Sequence, residues 1–176
     1  MEKKKRYLKK VTSIKIEPYL AEYVLAKFPV DHKTGGVKIP SSSDLYFAIW
    51  ELMSKPRHDQ DDADGNLMIS LPCRRGYDSI AWKDPAYYNH LSRSAAKSIE
   101  NVIRLMFNFE LHRVLLENEE FGHERRNQDV IYDFIREYNL KSITPDALLK
   151  NYYRYRNRIR PKKTRKYKKM IDFNFF

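Results

Sequence analysis

Ser94-Ala-Ala-Lys-Ser-Ile-Glu-Asn-Val-Ile-Arg-Leu-Met-Phe-Asn-Phe-Glu-Leu-His-Arg-Val-Leu-Leu-Glu117 is the most strongly periodic stretch of the chain. Ala95, Ile99, Val102, Met106 and Phe109 recur at helical spacing. Ile103, Phe107, Leu111 and Val114 form a neighbouring stripe. Two adjacent stripes describe a helix buried over much of its circumference. The spacing predicts a helix from Ser94 to about Glu117, acting as the spine of the core.

Shorter elements lie on the N-terminal side. Val11 to Ile16 alternates apolar and polar residues and reads as a strand. Pro18 suits a first helical turn, and Tyr19 to Phe28 forms a helix ended by Pro29. Val37 to Ile39 reads as a second strand. Ser41, Ser42, Ser43 and Asp44 supply N-cap side chains for a helix from Leu45 to Met53. Strand then helix thus occurs twice, at 11–28 and 37–53, too few copies to establish a repeat. Leu67 to Leu71 reads as a third strand, and the three strands are expected to form a small sheet. The expected fold class is α+β, mainly α-helical, with a long central helix and a minor sheet. A chain of 176 residues with 42% hydrophobic content fits one domain with its own core. The expected organisation is a basic arm at 1–10, one mainly helical domain at 11–160 and a basic, aromatic tail at 161–176.

Several classes are set aside by composition. No apolar run approaches the ~20 residues of a membrane span, and no apolar segment follows Lys10 as a signal peptide requires. Cys73 is the single cysteine. It cannot form an internal disulfide, which fits a reducing compartment, and a partly buried place at a strand end is expected. The expectation is a cytoplasmic protein with no membrane partner.

The net charge is +11, and its placement is uneven. Six cations fall within residues 1–10. Eleven fall within 150–169, with no acid among them. The segment between holds 21 of the 23 acids and carries about −4. A slightly acidic body with two basic ends is suited to a polyanionic partner.

Residues 128–160 lead into the second basic segment. A helix is expected from about Gln128 to Tyr138, with Val130, Ile131, Phe134 and Ile135 inward. Asn139 suits a left-handed turn. Thr144 is then an N-cap and Pro145 a first helical residue. The next helix places Leu148, Tyr152, Tyr155 and Ile159 on a core-facing stripe. Lys150, Asn151, Arg154 and Arg158 lie on the other face. This unit resembles the helix-turn-helix of bacterial and phage DNA-binding proteins, although its turn lacks the usual glycine. The resemblance implies duplex DNA binding, in transcription regulation or phage and mobile-element biology. It implies base contacts near the helix start, from Asp146, Ala147, Lys150 and Asn151. The DNA-binding set is expected to be Thr144, Lys150, Asn151, Arg154, Arg156, Arg158, Arg160, Lys162, Lys163, Arg165 and Lys166. A homodimer would supply two half-sites.

Other readings remain open. Tyr153 and Tyr167 offer rings for stacking on unpaired bases, as an RNA or single-strand binder needs. Asp31-His-Lys33 with Glu17 or Glu22 echoes a metal-dependent nuclease. His90-Leu-Ser-Arg93 echoes a recombinase element. No catalytic residue, cofactor or metal ligand is assigned. Asp59, Asp61, Asp62 and Asp64 precede Gly65, but Leu71 stands where a calcium loop needs its bidentate Glu. Glu119 and His123, with Glu120 and Glu124, would cluster if helical, but a solvated turn is expected there. The apolar Met170 to Phe176 suits either the chain's own core or a partner protein's groove.

Overall fold

The computed structural model describes residues 10–56, 65–73, 82–122 and 124–161. Its elements are β1 (Val11–Ile14), α1 (Pro18–Lys27), α2 (Asp44–Leu52), β2 (Leu67–Ser70), α3 (Arg93–Glu120), α4 (Asn127–Glu137) and α5 (Pro145–Ile159). The class is α+β, mainly helical, with a small antiparallel sheet. The sheet pairs Val11 with Ser70 and Ile14 with Leu67.

Helix boundaries follow local chemistry. The Ser43 and Ser92 hydroxyls accept from Leu45 N and Ala95 N, satisfying amides that have no intrahelical partner. Pro18 and Pro145 open their helices. β1 stops at Ile14, because beyond it a side chain replaces the neighbouring strand. Ile16 N donates to Asn66 Oδ1, and Asn66 Nδ2 donates to Ile16 O, both at 2.9 Å.

The expected strand at 37–39 reduces to one residue. Val37 N donates to Met68 O at 2.9 Å and Val37 O accepts from Ser70 N at 3.0 Å. Pro40 lacks an amide to extend the ladder. The chain reaches this position through Gly36, where an added Cβ would lie 2.7 Å from Ser70 Oγ. The second unit therefore lacks the four-residue strand that opens the first.

α3 has 28 residues, about 42 Å of helix, and packs against each of the other four helices. Its buried line is Ala95, Ile99, Ile103, Phe107, Leu111 and Leu115. Steps of four residues advance by about 40° per step on a 3.6-residue helix. The core face therefore winds around α3. Phe109, expected inward, is left 68% exposed. Phe107 anchors the centre, edge-to-face with Tyr19, Tyr23 and Phe134. Cys73 is exposed and lies past the end of β2, not in the partly buried place expected.

Candidate nucleic-acid interface

The chain reverses between α4 and α5 through residues 138–144, a longer link than the three or four residues of a helix-turn-helix turn. Asn139 takes φ +47°, the left-handed backbone its side chain tolerates. Leu140 N donates to Ile135 O at 2.9 Å, closing the end of α4. Glu22 of α1 then fastens the turn. Its carboxylate accepts from Lys141 N (2.7 Å), Ser142 N (3.1 Å) and Ser142 Oγ (2.6 Å). Burial opposes the Glu22 charge, but these hydrogen bonds outweigh it and hold the carboxyl below its ordinary pKa. Thr144 Oγ1 accepts from Ala147 N at 3.3 Å as N-cap.

α5 buries Leu148 and Tyr152. Tyr155 is half-buried and stacks on His112 at 4.0 Å between centroids and 10° between planes. Ile159, expected on the core stripe, is 44% exposed. α5 has outrun the apolar surface available to it there.

Asn151 does not share the outward face on which the spacing placed it. His112 Nε2 donates to Asn151 Oδ1 at 2.7 Å, and Asn151 Nδ2 donates to Asn108 Oδ1 at 3.1 Å. Its amide is spent on α3. Burial holds His112 below its ordinary pKa, the Asn151 bond opposes this, and the Arg158 charge adds to it. Two cations are also engaged. Arg156 donates to Glu119 at 2.9 Å and lies 4.6 Å from the centre of the Tyr153 ring. That covers the half-buried ring expected to be spare for stacking. Arg160 donates to Glu120 at 2.8 Å.

Lys150, Arg154 and Arg158 remain. All three are exposed, and none has an acidic partner among the described residues. They are four residues apart and follow one side of α5. Lys162, Lys163, Arg165 and Lys166, with the apolar segment 170–176, lie outside the described residues. Asn108, His112 and Glu119 of α3 were not foreseen as partners of α5. Their only sequence signal is polar residues recurring along an otherwise apolar helix.

Residues of the nuclease and recombinase readings have other partners. Glu17 pairs with Arg104 at 2.9 Å. Asp31 closes its own turn, accepting from Lys33 N and Thr34 Oγ1. His90 makes paired backbone hydrogen bonds with Ser54, and Arg93 opens α3. Among the described residues, no group of three or more His, Cys, Asp or Glu side chains is placed to hold a metal ion. No helix among them is long and apolar enough to cross a membrane. The acidic loop at 59–64 and His123 lie outside the described residues. No family model, no curated protein and no solved structure matches this chain.

Proposed function

We propose that the chain is a nucleic-acid-binding protein, and that the outward face of α5 grips backbone phosphates of duplex DNA. One observation carries the reading. Lys150, Arg154 and Arg158 form a row on a helix held at both ends, by Glu22 at its entry and by Glu119 and Glu120 near its exit. Cations without carboxylate partners on an anchored helix are suited to phosphates. In sequence the row leads into the acid-free basic segment. The position of Asn151 gives no support to base readout by that residue. Sequence preference then falls to Asp146 and Ala147, exposed at the helix start. The setting that goes with this reading is cytoplasmic, in transcription regulation or phage and mobile-element biology, with a second copy of the chain doubling the contact.

A salt titration of duplex binding tests it. Each neutralised phosphate adds about −0.9 to the slope of log K against log salt. Replacing Lys150, Arg154 and Arg158 together by alanine should flatten the slope by about 2 to 3 units. An unchanged slope, or no duplex binding by the native chain at low salt, refutes it.

A further inference from the structure

A groove of about 870 Å³ runs between α3 and α5, on the side of α3 that the winding core leaves open. Leu105, Phe109 and Leu116 line it, together with the stacked His112–Tyr155 pair. Leu105 and Phe109 are 70% and 68% exposed, so two large apolar side chains stand open to water one helical turn apart. Arg113, Arg154 and Arg158 line the same groove. Its acids are Glu117 and Glu120. Glu120 holds Arg160 at 2.8 Å, and Glu117 faces Arg113 at 3.9 Å. Arg154 and Arg158 have no acidic partner among the described residues, so the uncommitted charge is positive.

We propose that this groove receives the unpaired bases of a single-stranded nucleic-acid segment, stacked on Phe109, with Arg154 and Arg158 on the adjoining phosphates. The proposal rests on the nucleic-acid reading above and adds a second mode to it: Arg154 and Arg158, two of the three cations assigned to duplex phosphates, also line the groove and would serve a single strand in place of a duplex. An exposed ring accepts any base, because every base offers a π-face. The arginines supply what an apolar occupant would leave unanswered. An apolar peptide covering Leu105 and Phe109 would press Arg154 and Arg158 into an interface without bringing them an anion. A phosphodiester strand brings apolar face and negative charge together. The volume lies at the upper end of the range for small-molecule sites, roughly 300–1,000 Å³, and gives a strand more room than a single ring needs.

Fluorescence anisotropy of the full chain would compare oligo(dT) and oligo(U) of about fifteen nucleotides with a blunt duplex. Phe109→Ala touches no buried residue position and should leave the fold intact. It should weaken the better-bound single strand by about tenfold and the duplex by less than about twofold, while Phe109→Tyr retains single-strand binding. The preferred oligomer identifies the strand. In a Phe109→Trp variant, the added emission, read against Trp50 and Trp82, should be water-like in the free protein and quenched at saturation with the oligomer. Equal loss for duplex and single strand on Phe109→Ala, or no loss for the single strand, overturns the proposal. Blue-shifted emission in the free variant also overturns it. If that shift depends on protein concentration, the groove belongs to a second copy; if it does not, to residues 170–176. Duplex binding that Arg158→Ala weakens, without single-strand binding, sinks this inference and leaves the phosphate-gripping reading standing. Binding to none of the three removes both.

Discussion

Glu22→Ala removes the carboxylate that fastens the α4–α5 turn. Three hydrogen bonds are lost, two from backbone amides and one from a hydroxyl. A hydrogen bond to a charged group contributes about 1.5–3 kcal/mol when water cannot replace the partner. Here Lys141 and Ser142 are exposed, and water will reach both amides once the carboxylate is gone. The three together should therefore contribute about 2 kcal/mol and not the sum of three buried bonds. For a chain of this size each kcal/mol moves Tm by about 2–4 °C, so the variant should melt about 6 °C lower. The folded-state pKa of Glu22 lies below its ordinary value. Its stabilisation is thus complete above the unfolded carboxyl pKa, about 4.3, and is lost as pH falls through the lower folded value. Thermal melts of native chain and variant should differ most at neutral pH and converge in acid. A difference below about 0.5 kcal/mol at neutral pH, or one that persists unchanged in acid, would refute the clamp as the source of the effect.

Two further outcomes are expected. Burial holds the folded pKa of His112 below its ordinary value. Stability should therefore fall as pH drops below about 6.5, where the unfolded imidazole takes up a proton first. His112→Gln should remove that part of the dependence in urea melts at stepped pH; identical slopes in both proteins would contradict it. Asn139→Ala places a less tolerant residue at φ +47° and should lower stability by about 1 kcal/mol. Asn139→Gly should leave it equal or slightly higher in the same denaturant titration.

Local signals were the legible part of the fold. Ser43, Thr144 and Pro145 mark helix starts through chemistry confined to one turn, and Asn139 marks a chain reversal in the same way. Phe109 was misread because a stripe drawn along a straight helix ignores the drift of a four-residue repeat. The direction of that drift depends on which helices pack where. Val37 was read as a strand because its neighbours have the right composition, yet a strand needs consecutive amides facing a partner, and Pro40 denies it one. In the candidate site, the row of Lys150, Arg154 and Arg158 was legible from spacing alone. Asn151 was not. It sits between the buried and outward faces, and its direction is settled by Asn108 and His112, more than thirty residues away in sequence. Arg156 and Arg160 look like their neighbours in sequence, and only the position of the Glu119–Glu120 end of α3 separates them.

The attachment of α5 also bears on how the molecule comes apart. Only Leu148 and Tyr152 of that helix are fully buried; Leu149, Tyr153 and Tyr155 are partly buried against the core, and polar groups supply much of the remaining grip on α3. α3, by contrast, is committed to apolar packing along most of its length. Cooperative units with few apolar contacts open before the whole protein does. α5 is thus expected to open before the α3 core does, with hydrogen-exchange protection short of the global limit. A polyanion laid along it would raise that protection without altering any contact inside the core, so occupancy of the surface would be recorded as a change in local opening and not as a change of shape.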